Sequence, residues 1–254
     1  MKTWQESKRS TSQLIRFTLA LAVVWTLVVA LSFLWSSHEG EQAAVHAATE
    51  AARAQFLKDV LYRRWNTLHG GVYAPVTETT PPNPYLTQVE EREIRTPSGR
   101  LLTMINPAYM TRQVHELSEQ TVGVHGHITS LHPINPSNKP DEWEKAALQG
   151  FETGIDEVVE TVEQDGIPYL RLMRPLVTEP SCLKCHAEQG YRTGDIRGGI
   201  SISVPLAPYQ SFAEQQIASI AVGHGILWLL GLVWLGAGSV RFSRHFRERD
   251  QITA

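Results

Sequence analysis

The sequence predicts an α+β domain, built from an antiparallel sheet with flanking helices and placed between two transmembrane helices. Residues 17–35 and 217–240 contain no Asp, Glu, Lys or Arg, and each run is long enough to cross about 30 Å of hydrocarbon as a helix. Between these runs, short stretches of alternating polar and apolar residues are interleaved with segments that carry helix-capping residues. This order of signals favours an antiparallel sheet with helices against it.

Several segments between the apolar runs have the signals of helices. Apolar residues recur at near-helical spacing over residues 41–66. Asn106, which a proline follows, predicts the start of a helix that runs to Glu119, because asparagine caps helix N-termini and proline suits the first helical position. Asp141 and Glu144 have the spacing of a capping box and predict a further helix.

Strand signals are found in the same region. Residues 95–103 contain a Pro-Ser-Gly turn between two short extended pieces, and residues 128–131 form a short strand-like stretch. The clearest alternation occurs over residues 169–177 and 199–205, which are therefore predicted to be the two best strands. The connection between these two strands contains both cysteines of the chain.

Positive charge is concentrated at the two ends of the sequence. Lys and Arg outnumber Asp and Glu in residues 1–16 and 241–254, the segments that flank the apolar runs 17–35 and 217–240. Because cytoplasmic flanks of spanning helices are enriched in Lys and Arg, both ends are expected in the cytoplasm and residues 36–216 outside it. We therefore expect a two-pass protein of the inner (cytoplasmic) membrane, surrounded by membrane lipid, with its central domain in the periplasm or outside the cell. The net charge of −3 gives no reason to expect a nucleic-acid partner.

A cleaved signal peptide is the alternative for the first apolar run. The run is longer than the usual apolar region of a signal peptide, which has about 7–15 residues. A cleavage site is only weakly indicated, near residues 44–48. The sequence therefore favours an uncleaved anchor over this alternative.

The most specific motif of the chain is Cys-Leu-Lys-Cys-His at residues 182–186. Cys-x-x-Cys-His is the attachment motif of c-type haem, in which two thiols add to the two vinyl groups of one porphyrin and the histidine binds the iron. The sequence thus predicts one covalently attached haem c. Cys182 and Cys185 are the predicted thioether residues, and His186 is the predicted proximal iron ligand. Attachment takes place outside the cytoplasm, where the charge distribution independently puts this segment.

Other roles for the cysteine pair remain open at this point. A redox disulfide of this spacing is expected in a thioredoxin-like βαβ setting, which the sequence does not indicate. A zinc site would need a second cysteine pair, and the chain has only two cysteines. A structural disulfide or a chance pair is the remaining alternative.

Longer motifs surround the haem attachment motif. They are residues 64–66 (Arg-Trp-Asn), 69–73 (His-Gly-Gly-Val-Tyr), 82–86 (Pro-Asn-Pro-Tyr-Leu), 106–112 (Asn-Pro-Ala-Tyr-Met-Thr-Arg), 130–136 (Ser-Leu-His-Pro-Ile-Asn-Pro), 138–144 (Asn-Lys-Pro-Asp-Glu-Trp-Glu) and 182–199. With these motifs, the segment from about residue 65 to residue 205 resembles the Tll0287-like haem domain, also called DUF3365. The resemblance implies a PAS-like sensor domain, which in this family often lies between two membrane spans.

The chain departs from the resembled arrangement after its second apolar run. Members of the family commonly continue into HAMP, PAS and histidine-kinase domains or into chemoreceptor signalling regions, whereas 14 residues follow Val240 here. We therefore expect no enzymatic activity in this chain. A partner histidine kinase or chemoreceptor is the expected receiver of a signal, and the two-span architecture suggests a homodimer.

The sequence leaves several functions open. The resemblance favours a membrane-anchored redox or gas sensor that acts through a partner. A membrane-bound c-type cytochrome for electron transfer is the alternative, because it needs only the haem and the anchor. A peroxidase-like enzyme ranks last, because no distal acid–base pair is evident.

The second axial ligand of the iron is also open. Some members of the family use a cysteine in the helix before the Asn-Pro segment, but both cysteines here belong to the attachment motif. The resemblance brings Met110 to the corresponding position, and a methionine ligand would raise the reduction potential. The alternatives are that Met110 packs in the core, that His46 or His69 is the ligand, or that the position holds water or is vacant.

The haem propionates need cationic or hydrogen-bonding partners. Arg171 and Arg174, in one of the two best predicted strands, are the candidates that we favour for this role. Arg64 and Arg112 are further cations in the region of resemblance.

Overall fold

The computed structural model describes the backbone of residues 2–252 and the side chains of residues 12–184, 186–245 and 248. The helices are α1 (Lys2–Leu68), α2 (Pro107–Val122), α3 (Glu142–Glu152), α4 (Leu183–His186) and α5 (Ala207–Ile252). The strands are β1 (Val72–Pro75), β2 (Glu93–Arg95), β3 (Leu101–Ile105), β4 (His125–Thr129), β5 (Val158–Gln164), β6 (Ile167–Val177) and β7 (Ile196–Pro205). Two compact units are formed, one within Met1–Ala44 and Gln210–Ala254 and the other by Val45–Tyr209.

Two helices are long enough and apolar enough to cross a membrane. They contain the segments Ser12–Leu68 and Ala207–His245, which include the predicted spans 17–35 and 217–240. This finding rests on the length and the apolar composition of the two segments.

The first unit contains the part of α1 that precedes residue 45 and the part of α5 that follows residue 209. Trp25 Nε1 donates a hydrogen bond to the main-chain carbonyl of Trp228 at 3.2 Å, and the Ser32 hydroxyl lies 3.2 Å from His224 Nε2. A Cβ atom at Gly231 would collide with the indole of Trp25. The absence of a side chain at this glycine therefore lets the two helices approach closely.

The second unit contains two antiparallel sheets. The smaller sheet has the strand order β1-β3-β2, and the larger sheet has the order β4-β7-β6-β5. The longest pairing joins β6 and β7, from Tyr169 opposite Pro205 to Val177 opposite Ile196. The predicted α+β class, with antiparallel sheets and flanking helices, is thereby confirmed.

The larger sheet is covered by helices on both faces. One face packs on α1 in a cluster that includes Ala48, Ala52, Phe56, Leu170, Leu172, Ile200 and Ile202. The other face packs on α3 in a cluster of Ala147, Leu148, Phe151 and Met173. Successive side chains of a strand point to opposite faces, so β6 contributes Leu172 to the first cluster and Met173 to the second.

Most predicted elements are present, and their starting points follow the capping residues. The Asn106 side chain accepts a hydrogen bond from the amide of Tyr109 at 3.0 Å, and Asp141 and Glu144 form the predicted capping box of α3. The edge strand β5 was not predicted, because its largely exposed, glutamate-rich sequence lacks a clear apolar face. The short strand predicted at residues 128–131 lies earlier, at His125–Thr129.

Glu144 lies at the centre of a polar network under α3. Its side chain is 1% exposed, and its carboxylate accepts hydrogen bonds from His127 Nδ1 at 2.9 Å and from the Ser201 hydroxyl. Arg171 Nη2 lies 3.1 Å from the same carboxylate, and the Asp141 amide donates to it at 3.1 Å. The network joins α3 to β4, β6 and β7, and a buried carboxylate is tolerated here because its oxygens are satisfied.

The hydrogen bond between His127 and Glu144 shifts both pKa values. Burial disfavours the charged form of each group, but the hydrogen bond and charge attraction between them outweigh it, so the pKa of His127 is raised and that of Glu144 is lowered. The histidine therefore contributes stability below its ordinary pKa of 6.5, and loses it as the pH rises through the folded-state pKa. The glutamate contributes above its ordinary pKa of 4.5, and loses it as the pH falls through the folded-state pKa.

We predict that Glu144→Gln lowers the free energy of unfolding by about 1–3 kcal/mol, because it removes the charge that these donors share. The loss should be largest between the ordinary pKa values of the two groups, 4.5 and 6.5, where both are charged. The measurement is denaturant unfolding of the full chain in detergent as a function of pH. Glu142→Gln, an exposed carboxylate in the first turn of the same helix, is the matched control. Equal effects of the two substitutions would contradict this account of the network.

Candidate functional site

The Cys-Leu-Lys-Cys-His segment lies in the connection between β6 and β7. Main-chain hydrogen bonds close this connection at its base, from Thr178 N to Asp195 O at 2.8 Å and from Gly194 N to Thr178 O at 2.9 Å. A 3-10 turn, Pro180–Cys182, leads directly into α4, whose last residue is His186. Cys182 is half-buried and is not in a disulfide. The Cys185 side chain lies outside the described part of the chain, so its predicted role stays a prediction.

Both ring nitrogens of His186 have hydrogen-bond partners. Nδ1 lies 2.6 Å from Gln189 Oε1, and the Gln189 amide nitrogen in turn donates to the His132 carbonyl at 3.1 Å. Since that amide nitrogen is a donor, Gln189 Oε1 faces the imidazole as an acceptor, and the ring proton is assigned to Nδ1. Nε2 then carries a free electron pair, which accepts a hydrogen bond from Arg197 Nη1 at 2.8 Å. This is the pattern of a metal-binding histidine, which donates its other ring N–H to a neighbouring acceptor.

The surroundings keep the His186 imidazole neutral. Burial lowers its pKa, the hydrogen bond to Gln189 opposes this shift, and the nearby cations Arg197 and Arg63 lower the pKa further. The ring of Tyr191 lies edge-on to the imidazole, with 6.3 Å between the ring centroids. The hydrogen bonds to Gln189 and Arg197 fix the orientation of this imidazole.

His186 borders two adjoining cavities. We call residues 182–186, which contain the Cys-Leu-Lys-Cys-His motif, the attachment segment. The first cavity, of about 180 Å³, is lined by residues of the attachment segment, among them Cys182, by Val60 of α1 and by Met104 of β3. The second, of about 440 Å³, lies on the side of Tyr191. Both cavities include His186 and Arg197 in their walls. His186 and Cys182 thus line the same cavity.

The wall of the first cavity is rich in cations. Arg63, Arg64, Lys184 and Arg197 line it, against the single acidic residue Glu179. Among the described side chains, neither Arg63 nor Arg197 forms an ion pair with a carboxylate.

Arg63 is the most buried of these cations. Arg63 is 6% exposed. Its Nη1 donates two long hydrogen bonds of 3.3 Å, one to the Pro107 carbonyl and one to the Thr111 hydroxyl. Burial, followed by repulsion from Arg197, lowers the pKa of Arg63 to about 9. Asp59, one helical turn earlier, attracts the Arg63 charge, but its carboxylate is bound to His115 Nε2 at 2.7 Å and forms no ion pair with Arg63 among the described side chains.

Met110, the predicted second iron ligand, does not line either of these two cavities. It is half-buried on α2, and its sulfur accepts a long hydrogen bond from Asn66 Nδ2 at 3.7 Å. The methionine in the wall of the first cavity is Met104. Nothing in the alternation of β3 distinguished Met104 beforehand, and the assignment of Met110 as an iron ligand stays a prediction.

The two histidines considered as alternative ligands also lie apart from His186. His46 is exposed on α1. His69 is exposed at the end of α1, where its Nδ1 lies 2.8 Å from the Trp65 carbonyl. Neither histidine lines the cavities that His186 borders.

Arg171 and Arg174, the predicted propionate partners, are likewise absent from these cavities. Arg171 binds Asp141 and Glu144 and lies over the ring of Trp143. Arg174 lies 3.6 Å from a carboxylate oxygen of Glu157, on the opposite face of the sheet. Both guanidinium groups already have carboxylate partners, whereas the cations at the cavity, Arg63 and Arg197, do not.

The sequence held a signal for only one of these cavity arginines. Arg63 follows Phe56 by seven residues, so helical spacing puts it on the apolar face of the predicted helix 41–66, whereas Arg64 lies off that face. Arg197 lies eleven residues after His186 and two residues before the predicted strand 199–205. Its proximity to His186 depends on the closure of the connection between β6 and β7.

Comparisons with known proteins agree with the sequence motifs. A family model described as Tll0287-like matches residues 38–205. Among solved structures, the crystal structure of the cyanobacterial heme-protein Tll0287 matches at 16% sequence identity and a TM-score of 0.34, over 40% of this chain and 73% of that chain. No curated protein matches.

We predict that Arg63→Gln leaves the haem-free full chain as stable as before or raises its free energy of unfolding by about 1 kcal/mol, because it removes a buried cation without an ion-pair partner. Arg64→Gln, at the exposed neighbouring position, should change this free energy by less than about 0.5 kcal/mol. Denaturant unfolding of both variants in detergent gives the comparison. A clear destabilisation by Arg63→Gln alone would mean that this guanidinium is already well paired.

Proposed function

Because the chain belongs to the Tll0287-like family, we propose that it carries one haem c, attached through Cys182 and Cys185, with His186 as an axial ligand of the iron. The observation that carries this proposal is the geometry of His186. Its Nδ1 is held by Gln189, its Nε2 accepts a hydrogen bond from Arg197, and the residue lines a cavity that Cys182 also lines. The protein after which the family is named is a cyanobacterial heme-protein.

The residues of the attachment segment have the chemistry that covalent attachment requires. Each thiol would add across one vinyl group, forming one carbon–sulfur bond and passing the thiol hydrogen to the neighbouring vinyl carbon. The two additions would involve no net oxidation or reduction, and both cysteines would lose their free thiols. When bound, the haem would supply an iron that can change oxidation state.

The surrounding residues orient the imidazole and provide an apolar surface beside it. Gln189 fixes the ring orientation through Nδ1, and this kind of contact also makes the metal-binding nitrogen a better ligand. Leu86, Val89 and Leu176 provide an apolar part of the cavity wall. Such a wall restricts solvent access and thereby influences the reduction potential.

We further propose that this domain is the redox-sensing or gas-sensing part of a signal-transduction system in the cytoplasmic membrane. The supporting observation is that one helix, α1, contains the first apolar run and also contributes Val60, Arg63 and Thr67 to the cavity wall. A change at the cavity that displaces these residues acts directly on that helix. The α+β arrangement, with helices against an antiparallel sheet, is compatible with a PAS-like sensor domain.

The topology in this proposal rests on the charge distribution, the partner on the family resemblance, and the homodimer on the two-span architecture. The haem domain lies in the periplasm or outside the cell, and both terminal segments lie in the cytoplasm. The chain itself catalyses no reaction in this proposal. Its state is read by a partner histidine kinase or chemoreceptor in the same membrane, through contacts between spanning helices, and the chain itself forms a homodimer.

We predict that the full chain, expressed with the cytochrome c maturation machinery, retains haem after denaturation. Cys182→Ala and Cys185→Ala should each remove one thioether bond, which shifts the pyridine haemochrome band, and the double variant should retain no covalent haem. Lys184→Ala, between the two cysteines, is the control and should keep both bonds. A wild-type chain whose haem is lost on denaturation would rule out covalent attachment.

We predict that the oxidation state of the haem changes hydrogen exchange in the part of α1 that lines the cavity. The full chain in lipid nanodiscs is compared in the ferric and ferrous states, and in the ferrous state with CO or NO. Exchange in residues 60–68 should depend on the state, whereas exchange in α3, on the other face of the larger sheet, should not. Identical exchange in all states, together with rapid electron exchange with quinol or cytochrome partners, would instead identify an electron-transfer cytochrome.

A further inference from the structure

We infer that Arg63 and Arg197 form a carboxylate-binding site, and that in the haem-loaded protein they bind the haem propionates. This inference rests on the haem attachment proposed above, and it assigns to these two residues the role that the sequence suggested for Arg171 and Arg174. Arg63 reaches the first cavity from α1 and Arg197 reaches it from β7, so the site joins the helix to the larger sheet.

The first argument is that two adjacent cations, the buried Arg63 and the half-buried Arg197, have no carboxylate within ion-pairing distance among the described side chains. By contrast, Arg171 and Arg174 are both paired. The nearest acidic residue on the same helix face, Asp59, is bound to His115. A charge that is removed from water is costly unless it is paired, so the arrangement calls for an anion in the cavity.

The second argument is the hydrogen bonding of the two guanidinium groups. Arg197 Nε is buried and has no partner among the described atoms. Arg63 makes only the two long hydrogen bonds described above, both through Nη1. Buried donors of this kind are normally satisfied, so these two side chains have unused capacity that points to a ligand with several acceptor oxygens.

The third argument concerns the contact between Arg197 and His186. Arg197 Nη1 donates to Nε2, the ring nitrogen that binds the iron in the proposed function. Iron binding at Nε2 uses the same electron pair, so Arg197 must give up this hydrogen bond when the haem is attached. A carboxylate of the same cofactor would replace the lost acceptor within the cavity.

The geometry of guanidinium favours carboxylate as the ligand. Arginine presents a planar set of N–H donors that can bind both oxygens of one carboxylate, whereas lysine provides a single point charge. Two arginines match two carboxylates, which is the number of propionates on one haem. A cation beside the haem also disfavours the more positive, oxidised state of the iron, so the pair should raise the reduction potential.

The test uses the haem-loaded full chain in detergent. Arg63→Gln and Arg197→Gln should each shift the reduction equilibrium about tenfold toward the oxidised form, which corresponds to a potential lower by about 59 mV for a one-electron couple. The propionate bending mode in the resonance Raman spectrum should shift in both variants. Lys58→Gln on α1 and Arg192→Gln near β7 each remove one exposed positive charge and should leave the Raman mode in place and the potential nearly unchanged.

The outcomes separate this inference from the proposed function. Wild-type potential and Raman mode in haem-loaded Arg63→Gln and Arg197→Gln would overturn the inference alone, as would equal shifts in the two control variants. If a Gln variant does not take up haem, the propionate Raman mode is measured in the variant with Lys at the same position. Lysine keeps the positive charge but lacks the paired N–H donors of arginine. An unshifted Raman mode in that Lys variant overturns the inference. A wild-type chain without covalent haem would contradict the proposed function, and this inference with it.

Discussion

The antiparallel pairing of β6 with β7 is the constraint on which the site depends. The strands are paired from Tyr169 opposite Pro205 to Val177 opposite Ile196, and the connection between them begins and ends at one point, where Thr178 bonds to Asp195 and Gly194. The attachment segment is therefore held against the end of the larger sheet rather than on a free loop. The same pairing brings Arg197, at the start of β7, to within hydrogen-bonding distance of His186.

Burial of α1 against the sheet is the second part of this arrangement. The face of the helix that contributes Ala48, Ala52 and Phe56 to the core also determines which later residues point inward. At the level of the cavity this inward position is Arg63, so the packing of the apolar cluster also buries a cation. The hydrophobic contacts of the same helix offset the unfavourable free energy of burying this cation, and a bound anion would reduce that free energy.

Local signals in the sequence predicted the helices and strands where the side chain itself determines the structure. Asn106 and Asp141 cap their helices through their own oxygens, and the alternating segments around Leu172 and Ile202 became the paired central strands. The sequence did not predict side-chain partners that lie far apart along the chain. Nothing local showed that Arg171 and Arg174 are paired with carboxylates, because those carboxylates come from the start of α3 and from the residue before β5.

The close spacing of Cys182 and Cys185 has a consequence for how a covalently held haem would stabilise this fold. A cross-link stabilises a protein mainly by closing a loop in the unfolded chain, and its effect grows with the length of that loop. Two bonds to one porphyrin from residues 182 and 185 close a very short loop, so the thioethers themselves restrict the unfolded chain little. They would act instead as a tether that keeps the haem at high local concentration, while the contacts that hold separate elements together would come from His186 on α4, Arg63 on α1 and Arg197 on β7. In such a protein, permanence of the cofactor and stability of the fold are provided by different residues.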